Sequence, residues 1–439
     1  MTALPMTTLT RLAPAPDTAA PDAKTLRRRP VLAKEGHPAV RPVAAAHLTD
    51  EDVAELGREL DAIRDAVLAD RGAKDAAYIR RVIRTQRSLE IGGRACLVFA
   101  SLPPAWVAGV AMLSVAKILE NMEIGHNVLH GQWDWMRDPD IHSTTWEWDF
   151  VTPAASWKHT HNDLHHTWTN VIGKDRDVGY NILRMDPKQE WQPWNLGNPL
   201  YNALLAPIFE WGIAVYDLEL QDFAEGKKSK TDLRRDLKAM GRKIATQFAK
   251  DYVATPAVAA LTGSFVPALL GTLTANAIRN VWAHAVIFCG HFPDGTDTFT
   301  EEMIEGETRG DWYVRQMIGS ANISGSKAMH LMTGNLSHQI EHHLFPDLPS
   351  NRYAEIAPKV QDLFDRYGLD YCARPFPQQV YSAWHKVVRL SLPNGWLDQT
   401  NARNLPTQLK RLYQMSTGGP KVRRALQARM AQEQRRSAA

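Results

Sequence analysis

The chain has 439 residues, 44% of them hydrophobic and 23% charged, with a formal net charge of +3. A near-balanced charge excludes a polyelectrolyte, and a slightly negative mean hydropathy of −0.34 excludes a chain that is mostly membrane, though a few spans beneath a water-facing cap are allowed. Three separated cysteines (Cys96, Cys289, Cys372) exclude a disulfide framework or a cysteine-knuckle metal site and fit a reducing, cytosol-facing environment.

Residues 1–46 are rich in Ala, Pro and Thr, lack the apolar run of a signal peptide, and are expected to be a disordered leader. Thr49 followed by Asp52 predicts a helix start. Leu56, Leu60, Ile63 and Val67 follow at helical spacing, and Gly72 is a plausible stop. From about Lys74 a second helix carries Tyr78, Ile79, Val82 and Ile83 on one side. Arg80, Arg81, Arg84 and Arg87 lie on the other. Residues 47–87 therefore read as helices that are solvated or lie on lipid headgroups.

Ala95–Ala116 has no charged residue and is interrupted by Leu102-Pro103-Pro104. This predicts a hairpin of two spans, about 88–102 and 105–122. Tyr252–Ile278 is also uncharged, with Gly263-Ser264 in its middle, and predicts spans at about 244–262 and 265–282. Neither tip carries Lys or Arg while the flanks do, which places the tips outside and both termini in the cytosol. The other reading of each hairpin is a buried helical pair in a soluble protein. Asn198–Leu218 is apolar but broken by Pro207 and Glu210, so an interfacial helix is expected there rather than a fifth span. Residues 225–243 are densely charged and read as a solvated linker or helix. The tail carries Lys421, Arg423, Arg424, Arg429, Arg435 and Arg436. The expected architecture is an all-α integral membrane protein of the cell membrane. Four transmembrane helices form two hairpins under a cytosolic helical cap (domain 88–375), followed by a cytosolic segment (376–415) and a basic tail (416–439).

Three segments carry the chemistry: His126-Asn-Val-Leu-His130, His161-Asn-Asp-Leu-His165-His166 and His338-Gln-Ile-Glu-His342-His343. Half of the 16 histidines fall in these 17 positions, which chance does not explain. Residues i and i+4 share a helix face, so two imidazoles there can grip one ion. An adjacent histidine points about 100° round the axis, toward a neighbour. The boxes lie just beyond the predicted span ends and so gather on the cytosolic rim. His291, beyond the fourth span, is a candidate ninth ligand. His284 is a weaker one, and His159 is a ligand, a supporting group or a surface residue. His142, His330 and His385 read as structural.

Eight or nine imidazoles are too many for one ion but suit two. Only Glu123-Ile-Gly-His126 matches the Glu-x-x-His pattern of soluble di-iron bundles, and zinc-protease and deaminase signatures are absent. Glu123, Asp163, Asp175, Asp177 and Glu341 are near enough in sequence to orient imidazoles, or else face water. Trp133, Trp135, Trp146 and Trp148 are candidate walls of an apolar tunnel, with an interfacial belt or plain core as the alternatives. A membrane metal transporter would place its ligands inside the spans. A nucleic-acid-binding role for the basic ends leaves the boxes unexplained, so no nucleic-acid partner is expected.

With Asn121-Met-Glu-Ile-Gly-His-Asn-Val-Leu-His, His161-Asn-Asp-Leu-His-His-Thr-Trp and His338-Gln-Ile-Glu-His-His-Leu-Phe-Pro, the chain resembles the integral-membrane fatty acid desaturases from about Ser88 to Pro349. The actinobacterial acyl-CoA Δ9-desaturases are the nearest group. The resemblance implies two iron ions, O2 as co-substrate, a fatty acyl-CoA substrate and an external electron carrier. The implied ligands are His126, His130, His161, His165, His166, His338, His342 and His343, with His291 as the ninth. Some desaturases have Gln at the start of the third box; of His338 and Gln339, His338 is favoured here. Relatives acting near the carboxyl end often carry a fused cytochrome b5 with His-Pro-Gly-Gly. His37-Pro-Ala-Val lacks both glycines, so a separate donor, ferredoxin or an NAD(P)H-dependent oxidoreductase, is expected. Front-end (Δ5/Δ6) desaturation and alkyl-chain hydroxylation are the alternatives within the superfamily.

Overall fold

The computed structural model describes residues 40–438 and is mostly helical. Most of the expected leader lies outside the described residues. Helices α1 (Asp50–Asp70), α2 (Ala73–Val98) and α3 (Pro103–Ile118) come first. After the second histidine box come α4 (Asn198–Leu205), α5 (Phe209–Asp217), α6 (Lys230–Phe248), α7 (Thr255–Ala260) and α8 (Phe265–His291). The remainder is α9 (Arg309–Ile318), α10 (Gln339–Leu344), α11 (Tyr353–Arg366), α12 (Phe376–Leu390), α13 (Leu405–Thr417) and α14 (Pro420–Ala438). A short parallel ladder pairs Asn322–Ser324 with Ala373–Pro375.

α1 starts as expected. The Thr49 hydroxyl accepts from the Asp52 amide at 3.1 Å, and Asp52 accepts from the Thr49 amide at 2.8 Å. The second predicted helix and the first predicted span are not separate. They form one 26-residue helix, α2, because nothing between Lys74 and Val98 breaks the backbone ladder. Its start is tied to the start of α11. Arg352 donates to Asp75 at 2.7 and 2.9 Å, and Asn351 donates to the same carboxylate at 2.8 Å. Burial alone would raise the Asp75 carboxyl, but those bonds and the Gly72 amide outweigh it and hold it at about 2. A carboxyl lowered on folding stabilises above its unfolded value. That contribution, about 2 kcal/mol, is therefore expected to fade as pH falls from about 4 to 2. Urea titrations of wild type and Asp75→Asn across this window check it: the two should converge at the acid end.

Both hairpins form, with turns at residues 99–102 and 261–264. α2 and α3 approach closely at Gly93 and Gly109, where a Cβ would lie 2.9 Å from the Leu113 amide nitrogen and 3.0 Å from the Gly93 carbonyl. The two tips touch: the Ser101 amide donates to the Ser264 hydroxyl at 3.1 Å, and the Trp106 indole donates to the Pro267 carbonyl at 3.1 Å. Phe99, Leu102, Val107, Val258, Leu261, Val266 and Leu270 are exposed on this pair, Leu261 by 87%. Among the described residues no helix is long and apolar enough to cross a membrane.

Below the tips the pairs are joined by buried charge. Lys117 on α3 donates to Asp149 at 2.9 Å and to Asp251 at 2.7 Å, and Arg94 on α2 reaches Asp251 at 2.8 Å. Glu210, whose isolated charge counted against a fifth span, is paired with Arg279 of α8 at 2.7 Å. Lys117→Met removes the cation between Asp149 and Asp251 and leaves the two carboxylates facing one another, with Lys250 and Arg94 as their remaining partners. It is expected to cost about 3–5 kcal/mol and to lower the unfolding temperature seen by scanning fluorimetry. The charged stretch 225–243 is mostly helix, within α6.

A candidate metal centre built from histidine boxes

The box-one and box-two histidines are aimed by wide helical turns. α3 runs on as π-helix from Leu119 to His126, and the second box begins in another, Lys158–His165. In such a turn residue i+5 lies over residue i. The His166 amide accordingly donates to the His161 carbonyl, and the two Nε2 atoms are 3.3 Å apart. His161, His165 and His166 therefore share one side, whereas α geometry would turn His166 away.

Two groups result. The ring nitrogens of His126, His130, His161 and His342 lie within 4.8 Å of one another, and those of His165, His291 and His343 form a second such group. His161 and His165 also meet Asp177. His166 stands between the groups, its ring 4.6 Å from His130 and 4.5 Å from His343. His291, the last residue of α8, thus joins the centre as expected. Burial, reinforced by neighbouring imidazoles, holds His126, His130, His166, His342 and His343 well below the usual histidine range, so these rings are neutral donors.

Nδ1 partners fix which nitrogen is free. His342 Nδ1 meets the Tyr353 hydroxyl at 3.2 Å, which itself donates to the Phe345 carbonyl at 3.1 Å. His343 Nδ1 meets Gln316 Oε1 at 3.2 Å, and His165 Nδ1 meets Asp175 at 3.0 Å. A proton on Nδ1 leaves Nε2 with a lone pair. Among the described residues the buried Nε2 atoms of His130, His165 and His343 have no hydrogen-bond partner. Orphaned imidazole nitrogens are costly unless a cation takes them, and an all-imidazole donor set suits a borderline transition metal. The residues fit two metal ions. Burial opposes charge on His165, but Asp175 and Asp177 outweigh it and raise that ring to about 9. The same carboxylates strengthen it as a donor to a cation.

His338 is not brought to either group. The helix starts one residue later: His338 is its non-helical cap (φ −102°, ψ 57°), so the face-sharing of i and i+4 does not reach it. Its ring stacks on His330 with centroids 4.5 Å apart. Gln339 takes the inward place, its Nε2 3.0 Å from His291 Nε2. His338→Ala is therefore expected to keep the metal content of wild type, measured by elemental mass spectrometry of purified protein.

Of the five candidate orienting acids, only Asp175 and Asp177 face the histidines of the two groups. Asp163 pairs with His159 at the surface. Glu123 is held by Tyr78, Asn335 and Ser350, and Glu341 by Asn322 and Tyr371. His284 meets Asn202 and packs on Phe288, outside the centre. Among the tryptophans, Trp148 stands behind Trp157, and Trp133 packs with Tyr78 elsewhere. Arg71 lies over Trp135 and Arg87 over Trp146. The residue that walls the site most directly, Trp157, stacks on His161 at 4.3 Å and was not signalled by any motif. Nor were Tyr353 and Gln316, which sit far from the boxes or outside their spacing.

A family model described as fatty acid desaturase matches residues 101–375. Over 373 residues, 84% of this chain and 87% of the relative, the sequence is 48% identical to the NADPH-dependent stearoyl-CoA 9-desaturase of Mycobacterium tuberculosis. It is 24% identical over 286 residues, 62% of this chain and 76% of the relative, to the sn-1 linoleoyl-lipid 6-desaturase of Synechocystis. The human fatty acid desaturase 3 matches at 24% over 262 residues, 56% of this chain and 52% of the relative.

Proposed function

The chain belongs to the fatty acid desaturase family, and from that premise we propose that it inserts a cis double bond at the 9 position of a saturated fatty acyl-CoA. The observation that carries the reading is the convergence of eight buried or nearly buried imidazoles from four distant segments, seven of them in two groups and His166 between the groups. A methylene has no acidic proton, so acid–base side chains alone cannot remove its hydrogens. His126, His130, His161 and His342 would hold one iron ion and His165, His291 and His343 a second, and the pair would supply the redox chemistry that activates O2, the oxidant. In balance, one –CH2–CH2– unit, O2, two electrons and two protons give one –CH=CH– unit and two waters. The chain's own part is to exclude water and hold the imidazoles. Trp157, backed by Trp148, forms an apolar wall against the first group.

The two hairpins are read as four spans set in the cell membrane, with the centre and both termini cytosolic; the uncharged tips and their exposed apolar side chains support this. An interfacial role for α4 and α5 is supported by Leu200, Leu204, Ile208, Trp211 and Val215, all exposed along one stripe. The electrons come from a separate carrier, ferredoxin or an NADPH-dependent oxidoreductase, in keeping with the name of the M. tuberculosis relative. Of the expected domain limits, the one at 87/88 falls inside α2, and residues 41–45 of the expected leader pack on the folded body, Arg41 donating to Asp311 at 3.0 Å and Ala45 being buried; the other limits carry over on the same reading. Expression in cells fed saturated fatty acids, with new double bonds mapped by mass spectrometry, tests the proposal. A Δ9 alkene is expected. A hydroxylated product, or a double bond nearer the carboxyl end, overturns it.

A further inference from the structure

We infer that the C-terminal hairpin, α13 and α14, docks on the anionic phospholipid headgroups of the leaflet nearest the metal centre. The inference rests on the membrane reading above and goes beyond it. The hairpin has its own small core, in which Trp191, Trp396, Met415 and Met430 are buried. That core uses one side of α13. Leu405, Leu409 and Tyr413, at i, i+4 and i+8, form a second apolar stripe that the core does not cover; they are 40%, 49% and 68% exposed.

Charge surrounds the stripe. Between Asn401 and Arg435 there are eight Lys and Arg residues and one acid, Glu433. Arg411 and Arg429 already pair with that acid at 2.9 and 3.1 Å. Arg403, Lys410, Lys421, Arg424, Arg429 and Arg435 are exposed. An apolar stripe edged by long basic side chains suits a headgroup surface. The stripe enters the acyl boundary while the cationic ends stay with phosphates.

Position favours lipid over an acidic protein. α13 packs on the Pro193–Gly197 turn, and Gln427 of α14 donates to the Trp191 carbonyl at 3.2 Å. That turn exposes Trp194 and Leu196, 60% and 42%, and leads into the stripe of α4, where Leu200 and Leu204 are 60% and 58% exposed. The hairpin is thus fastened to the start of the segment already read as interfacial.

The test uses full-length protein, with Cys96→Ser, in nanodiscs of phosphatidylcholine with or without phosphatidylglycerol. Nitroxide labels are placed at Tyr413→Cys, at Ala428→Cys on the outer face of α14, and at Leu270→Cys, exposed midway along the expected span of α8. In phosphatidylglycerol discs, label 413 is expected to show roughly threefold less collision with an aqueous nickel chelate than label 428, and more with oxygen. High salt, or the added change Lys410→Glu, is expected to reverse this. Equal aqueous access at 413 and 428 in both lipids overturns the inference. Protection at 413 without a rise in oxygen collision also overturns it, because that marks a protein partner or a second copy. A water-exposed label at 270 instead overturns the membrane reading itself.

Discussion

His342→Ala is expected to abolish formation of new alkene and to lower bound metal by at least one ion per chain, while the protein stays in the membrane fraction. His342 lies against four other imidazoles of the centre. Its Nε2 is 3.2 Å from that of His126, and its ring lies 4.8 Å from His130 and 4.9 Å from His166. Its Nδ1 is set by Tyr353, which Gln132 holds from the other side at 3.0 Å. Alanine removes the donor and leaves those partners around a buried gap. Metal content by elemental mass spectrometry and product analysis by gas chromatography are the two readouts. Normal metal content with full activity would show that the ligand set is assigned incorrectly. Tyr353→Phe separates donation from orientation: it keeps the imidazole and removes only its hydrogen-bond partner.

The second large effect is expected at a residue that touches no substrate. Asp175 is buried and accepts from His165 Nδ1 at 3.0 Å, from the Asn170 amide at 2.7 Å and from the Asp177 amide at 2.9 Å. It therefore fixes both the tautomer and the angle of His165, whose free Nε2 faces the second group. Asp175→Ala is expected to weaken metal retention by about 10–100-fold, read as the chelator concentration that strips half the metal. Asp163→Ala, at the surface beside the same box, is expected to change nothing. Equal losses in the two variants would mean that the effect is a general loosening of the second box.

The hairpins were legible because uncharged runs of 22 and 27 residues, broken by Pro-Pro or Gly-Ser, leave a chain few ways to fold. The boxes were legible because eight histidines in three short runs have no use as ordinary surface or core. Helix α1 was legible from Thr49 and Asp52, a purely local bond pair. Each of these signals is complete within a few turns of chain.

The sequence by itself determined that imidazoles from box one, box two and box three exist in numbers fit for two ions, and that apolar hairpins lie beside them. Only the tertiary structure decided which side chains face inward. His338 and Gln339 are adjacent and equally polar. The choice between them follows from where α10 begins, and Asn322 sets that start by accepting from the Ile340 amide at 2.9 Å. Asn322 is in turn placed by its ladder to Ala373. His166 turns inward through a π-turn that no residue spacing announces, and Glu123 and Glu341 are occupied by partners from distant segments. The physical reason is range. Periodicity and capping are short-range and are written in order along the chain, whereas the aim of one side chain is fixed by contacts that exist only once the remote segments have packed.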